Sequence, residues 1–248
     1  MKQCSTVSLR HFALGSRLDR QHATGSSVSA FKALEQAVRV LTGRTETGSE
    51  IAAFQHYLDL LTTWNLTHRI TGLRSSDAIV RGLFLDSLLF LPPLPPGSIT
   101  VLDIGSGSGI PGVPLRIVRP DISLTLIESK RKRVSFLASL KRAIALPNIE
   151  ILEGRAEQML GYDPSLAGKF DVVVTRAVSA DLFPTARKYV KPGGLFVAGS
   201  APRRFDSPSS AYDADTGAEF ETRTYPSLGL SRSFLIFRKP VEGSADIR

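Results

Sequence analysis

Cysteine is nearly missing from this chain: Cys4 is the only one among 248 residues. An intrachain disulfide is therefore excluded, which fits a reducing compartment. Histidine is scarce as well, with four scattered residues. Neither residue type recurs at metal-ligand spacing, so no structural or catalytic metal is expected. No stretch is apolar for the roughly 20 residues that a membrane-crossing helix needs. Residues 1–27 carry one acid, Asp19, among Ser, Thr, Arg and Gly, and lack the apolar run of a secretory signal. They read as a disordered extension; a transit peptide, or a start placed ahead of a true one at Val28, are the alternatives. A cytoplasmic, monomeric protein without a membrane partner is expected. Acids are in short supply: 31 Lys and Arg face 23 Asp and Glu, leaving a net charge of +8 and a pI of about 9.9. Such an excess points to an anionic partner, most commonly nucleic acid, although a solvated basic surface gives the same count. What is present, 42% hydrophobic and 22% charged residues, is ordinary for a globular chain able to bury a core without disulfides.

The pattern divides at a proline run. Phe31, Leu34, Val38 and Leu41 recur at helical spacing, as do Ile51, Phe54, Leu58 and Leu61. A third helix is predicted from an N-cap at Ser75 or Ser76, carrying Ile79, Leu83 and Phe90 up to the PPLPP run at 92–96. Residues 28–96 thus form a helical part and residues 97–248 an α/β domain. In the latter, "ITVLDIG", "SLTLIES", "NIEILEG", "FDVVVTRAV", "GGLFVAGS" and "RSFLIFRK" read as strands, the fifth after a "KPGG" turn. A helix with Val134, Leu137, Leu140 and Ile144 inward follows the second strand, and residues 202–217 read as an exposed loop. Strands alternating with helices imply a doubly wound, mostly parallel sheet with right-handed crossovers, the Rossmann-like class.

The sharpest local signal is "LDIGSGSGIPG" at 102–112. Gly105, Gly107 and Gly109 permit a tight turn after the first strand and let a ligand approach the backbone at the carboxyl edge of the sheet. Residues 107–112 also match the G-x-G-x-x-G dinucleotide fingerprint, and Glu128 follows Gly109 by 19 residues, where an acid holds a ribose. A nicotinamide-dependent oxidoreductase is therefore one reading. Asp103 two residues before the first glycine, and Pro111 and Pro114 delaying the next helix, favour S-adenosylmethionine instead. That ligand offers ribose hydroxyls to a carboxylate, and an amine and a sulfonium to an acidic edge. The plainer reading of Glu128 is a solvated strand end.

Several segments together resemble the small-subunit (16S) ribosomal RNA guanine-N7 methyltransferase G family, the glucose-inhibited division protein B family. They are "TWNLTHRITGLRS", "FLDSLLFLPPL", "LDIGSGSGIPGVPLRIVRPD", "LIESKRKRVSFL", "GRAEQ", "VTRAV" and "KPGG", in order, between about residues 50 and 240. The resemblance implies a methyltransferase fold, S-adenosylmethionine as cofactor, and ribosomal RNA or the small ribosomal subunit as partner. It places Gly105 and Ile110 along the cofactor, Ala156 and Glu157 against the adenine, and Arg176 facing the site from the fourth strand. Three positions depart from the family pattern: no histidine precedes "LDS", Arg69 replaces an asparagine, and "VAGS" lacks a lysine. A divergent paralogue acting on another RNA, or a non-catalytic RNA-binding protein, are the alternatives.

Guanine N7 carries a lone pair and no proton, so its methylation calls for alignment and control of charge rather than a general base. No catalytic residue is assigned on this reading. Lys130, Arg131, Lys132 and Arg133 open a helix, where cations oppose the dipole and an anion would relieve them. With Arg69 and Arg203 they are candidate phosphate contacts, against a solvated basic face as the alternative.

Overall fold

The computed structural model describes residues 15–176, 182–200 and 218–241. A long helix, α1 (Gly15–Thr42), comes first. It reaches back through residues 15–27, which composition alone assigned to a disordered extension; residues 1–14 lie outside the described part. Helix α2 (Gly48–His68) buries Phe54, Tyr57, Leu58 and Leu61. Ser75 caps α3 (Ser76–Ile79), its side chain accepting from the Ala78 amide at 3.2 Å, as its position before an apolar run predicts. The rod continues through a π-helical stretch, Val80–Leu85, into α4 (Asp86–Leu88). The prolines that follow end it.

Seven strands form one sheet in the order β3-β2-β1-β4-β5-β7-β6. They are β1 (Ile99–Ile104), β2 (Ile122–Glu128), β3 (Ile149–Glu153), β4 (Phe170–Arg176), β5 (Val190–Ser200), β6 (Ala218–Tyr225) and β7 (Leu230–Arg238). The first five run parallel; β7 is antiparallel to β5 and to β6. Between them lie α5 (Gly112–Val118), α6 (Arg131–Ala143), α7 (Ala156–Tyr162) and α8 (Phe183–Tyr189). The chain winds outward from β1 to β3, then returns to β4 on the other side of β1, which makes the carboxyl ends of β1 and β4 the switch point where ligands bind.

Two features depart from the sequence reading. "KPGG" is not a turn ahead of β5 but part of it: Phe170 pairs with Val190 and Val172 with Leu195, so residues 191–194 bulge within the ladder. β6 was not expected, and the segment read as a loop, 202–217, lies outside the described residues. The helical part shares one apolar core with the sheet's first face. Tyr57 sits 6.4 Å from the Phe136 ring of α6, and the edge of Trp64 meets the same ring at 5.8 Å. A second core, with Phe183, Tyr189 and Phe196, fills the opposite face.

Candidate cofactor site and nucleic-acid face

The loop after β1 is tied down on three sides. The amides of Gly105 and Ser106 both donate to the Ile127 carbonyl, at 2.9 and 3.1 Å, which binds the loop to β2. Below it, the fully buried Asp103 accepts from the Gly112 amide at 2.8 Å through one oxygen, while the other has no partner. Burial pushes this carboxyl from its ordinary 3.8 up to about 7, the Gly112 amide opposing and the Glu128 charge adding to the rise. With no exposed surface, Asp103 joins the end of β1 to the start of α5. From the third side comes Tyr57 of α2, whose hydroxyl donates to the Ser108 carbonyl. At Gly109, with φ of 89°, a Cβ would lie 2.8 Å from that hydroxyl oxygen and 2.9 Å from Val113, so only glycine lets α2 dock here. Gly105 is the opposite case: its φ is 72° and a Cβ would meet nothing within 4 Å. Its open side is a cavity.

That cavity, about 360 Å³, lies at the carboxyl edge and is lined by Gly105, Ser129, Arg155, Ala156, Glu157 and Arg176, among others. Its volume falls in the range of small-molecule sites. The Tyr189 hydroxyl donates to the Ala156 carbonyl at 2.5 Å and so sets the start of α7 against it. Glu157, next along, is exposed. Arg176 is held from behind: it donates to the Gly82 carbonyl at 2.6 Å in the π-helical stretch, and its Nε is 3.2 Å from Asp86 Oδ2 without hydrogen-bond geometry. Arg232 hydrogen-bonds the other oxygen of Asp86 and lies over the Phe90 ring, 5.3 Å from its centre. One carboxylate thus orients two arginines.

Glu128, at the end of β2, is 4% exposed. Its two oxygens accept from the Gly107 amide at 2.9 Å and the Lys130 amide at 2.8 Å. The side chain is a strut between the glycine loop and the start of α6 rather than a solvated strand end. Arg133, one turn into α6, stands 3.7 Å from it.

On the far side of Arg133 opens a second cavity of about 630 Å³, walled by the end of α2 and the loop that follows, with Arg69 and Arg74 on its rim. Asn65 folds this loop: its Nδ2 donates to the Leu73 carbonyl at 2.9 Å and its Oδ1 accepts from the Thr71 amide at 3.0 Å. The "WN" pair is therefore architectural, Trp64 docking α2 on α6 and Asn65 shaping the loop.

The structure brings Gly105, Ala156, Glu157 and Arg176 around one cavity, with Gly107 and Glu128 bonded just behind its loop. Ile110 is buried in the core beneath that loop. Arg69 and Arg133 meet at the second cavity, while Lys130, Arg131 and Lys132, just before Arg133 in the chain, are exposed and line neither cavity. Arg203 lies outside the described residues. Tyr57, Arg74, Asp86 and Arg232 were not anticipated; only the position of Tyr57 on the apolar face of α2 hinted at a role. Among the described residues no cluster of His, Cys, Asp or Glu is placed to hold a metal ion, and no helix is long and apolar enough to cross a membrane.

A mostly parallel sheet closed by an antiparallel β7, with a glycine loop after β1 and an acid ending β2, defines an S-adenosylmethionine-dependent methyltransferase. The fold agrees with that of a solved structure from Methanococcus maripaludis, described as a candidate enzyme of this class: TM-score 0.52 and 15% identity over 68% of this chain and 92% of that one. The family model of rRNA small subunit methyltransferase G matches residues 50–233. The ribosomal RNA small subunit methyltransferase G 1 of Syntrophobacter fumaroxidans is 36% identical over 197 residues, 77% of this chain and 87% of that relative. The methyltransferase G of Lachnoclostridium phytofermentans is 32% identical over 202 residues, 78% and 83% of the two chains. This chain belongs to the rRNA small subunit methyltransferase G family. Its residues suit the cofactor: Gly105 leaves the cavity open to the backbone, and the buried Glu128 supplies a carboxylate behind the same loop.

Proposed function

We propose that the protein methylates N7 of a guanine in small-subunit (16S) ribosomal RNA, as a cytoplasmic monomer. S-adenosylmethionine supplies the methyl group, carried on a sulfonium. In this reading Gly105 and Gly107 let the cofactor lie against the backbone, Glu128 accepts its ribose hydroxyls, and Ala156 and Glu157 flank its adenine. Arg176, oriented by Asp86, faces the same cavity. Arg69, Lys130, Arg131, Lys132 and Arg133 contact RNA phosphates.

The observation that carries the reading is the nearness of two cavities: the first is lined by Ile127 and Ser129, on either side of Glu128 in the chain, and the second by Arg133, which stands 3.7 Å from Glu128. One is built for a small ligand on a glycine loop; the other is basic and opens beside it. Among the described residues the lining of the first includes no histidine or cysteine. That suits an acceptor nitrogen with a free lone pair, which needs alignment but no base to remove a proton.

The test is transfer of a labelled methyl group to small-subunit RNA from a strain lacking the gene, followed by mapping of the modified base. Label on a guanine N7 is expected. Tight S-adenosylhomocysteine binding without any label in RNA would instead favour a non-catalytic RNA-binding protein. Preference for NAD(H) over S-adenosylhomocysteine in a titration would return the oxidoreductase reading.

A further inference from the structure

We propose that the arginine-lined cavity holds a phosphate of the RNA chain, and that Arg133 couples its occupancy to the cofactor site through Glu128. The inference rests on the reading of Glu128 as the cofactor's ribose acceptor.

The cavity's charge is the first ground. Arg69, Arg74 and Arg133 line it, and among the described residues no carboxylate does. Arg69 and Arg74 are exposed and form no ion pair among the described residues. Of the three guanidinium groups, only Arg133 has a carboxylate near it, Glu128 at 3.7 Å; the surplus positive charge calls for an anion, and the planar fork of arginine matches phosphate oxygens. The geometry is set in advance: Asn65 clamps the loop at Thr71 and Leu73, and Arg69 starts it in the left-handed region, with φ of 48° and ψ of 55°. A volume of about 630 Å³ exceeds what a lone phosphate needs and accommodates a phosphate with its nucleoside.

Arg133 is the second ground. Its Nη1 stands 3.7 Å from Glu128 Oε2, beyond hydrogen-bond reach, and its Nε is buried without any partner. The side chain is under-satisfied where it lies, between a carboxylate and the basic cavity. Each Glu128 oxygen already accepts one amide, so hydroxyls that bind this carboxylate do so beside Arg133 and replace the weak ion pair. Arg133 is then released toward a phosphate. Conversely, a phosphate that draws Arg133 away frees Glu128 for hydroxyls. By linkage, each ligand tightens the other by the same factor.

The experiment is a titration of a fluorescent single-stranded RNA oligonucleotide into the full chain, over a salt series, with and without saturating S-adenosylhomocysteine. S-adenosylhomocysteine should tighten RNA binding by about fivefold or more. The Arg69→Gln, Arg74→Gln double variant should bind RNA more weakly. Its salt dependence should be flatter by about 0.7 of a log unit per decade for each lost contact, with S-adenosylhomocysteine affinity unchanged. Arg133→Gln should bring the coupling factor close to one, and Arg133→Lys should restore part of it. RNA affinity and salt slope equal to wild type in the folded double variant would overturn the cavity assignment. A coupling factor undiminished in Arg133→Gln would overturn the bridge. Inorganic phosphate that raises S-adenosylhomocysteine affinity as much as RNA does would assign the cavity to free phosphate and overturn the RNA assignment. All these readouts are binding constants. A protein that shows them without transferring methyl groups loses the proposed activity alone; one that methylates ribosomal RNA while its variants bind as wild type loses this inference alone.

Discussion

Removing the Glu128 carboxylate tests the cofactor site most directly, because the structure separates two consequences. In Glu128→Ala the Gly107 and Lys130 amides lose acceptors at 2.9 and 2.8 Å. The Lys130 bond holds the N-cap residue of α6 in place and stands in for a cap, since Lys130 makes no side-chain cap of its own. Losing a cap costs about 1 kcal/mol, and losing a bond to a buried charge about 1.5–3 kcal/mol. The variant should therefore unfold at lower denaturant, by about 2–4 kcal/mol, and remain folded at moderate temperature. Cofactor affinity is a separate quantity. Loss of hydroxyl bonds to a carboxylate is worth about 1–3 kcal/mol, or roughly 5- to 150-fold in Kd. Glu128→Gln should fall between, since its one carbonyl oxygen serves a single amide and its NH2 group faces the other donor. Isothermal titration with S-adenosylhomocysteine, well below each variant's melting temperature, measures the Kd; circular dichroism confirms the fold. A folded Glu128→Ala protein with wild-type Kd would remove Glu128 from the cofactor site and leave it a purely structural strut.

Three further outcomes are expected. Gly105→Val places a branched side chain at φ of 72°, with nothing of the protein within 4 Å of its Cβ; it should cost about 1–3 kcal/mol in backbone strain, keep the fold and abolish S-adenosylhomocysteine binding, and wild-type affinity would show that the loop is not the cavity wall. Asp103 has a folded-state carboxyl raised by burial from 3.8 to about 7, so the folded chain holds the proton longer than the unfolded one. Its contribution is whole below about pH 4 and is lost as pH rises through about 7, on the order of 4 kcal/mol when complete. Asp103→Asn should flatten the fall in melting temperature between pH 5 and 8, and a profile parallel to wild type would refute the assignment. Asp86→Asn leaves Arg176 and Arg232 sharing a neutral partner, which should lower stability by about 1–3 kcal/mol and weaken S-adenosylhomocysteine binding through Arg176; an unchanged urea midpoint and Kd would deny Asp86 its orienting role.

What was legible in the sequence follows from where the information lies. β1, β2 and β4 are buried on both faces, so their residues read as nearly continuous apolar runs. β6 is "AEFETRTY", an edge strand whose residues 221–225 alternate between half-buried and exposed, and it is held by the register it shares with β7 from Ala218 to Tyr225. Nothing local marks it, because its partner supplies the reason for its conformation. The same holds for "KPGG". Proline and glycine signal a turn, yet the flanking residues of β5 pair with β4 strongly enough for the ladder to carry the insertion as a bulge. The π-helical stretch is likewise invisible in periodicity; its value lies in the Gly82 carbonyl that receives Arg176.

The site shows the same division more sharply in its two acids. In the sequence both are acids at the end of an apolar strand, Asp103 just before the glycine loop and Glu128 closing the second strand. In the structure Asp103 is fully buried with one oxygen unpartnered, and its charge is disfavoured. Glu128 is almost as buried, yet both oxygens accept backbone amides and an arginine stands nearby. Burial alone does not decide what a carboxylate does; the donors around it do. For Glu128 those donors are the neighbouring Lys130 amide and the Gly107 amide of the glycine loop, 21 residues before it; for Asp103 the donor is the Gly112 amide at the start of α5, directly after Pro111. Arg176 extends the point. Its place at the end of β4 could be read from the strand, but its orientation depends on Asp86 and on Arg232, 90 residues before it and 56 after it in the chain. Local pattern therefore identifies which backbone positions border the cavity, while the charge state and aim of the side chains there are set by segments that only the folded sheet brings together.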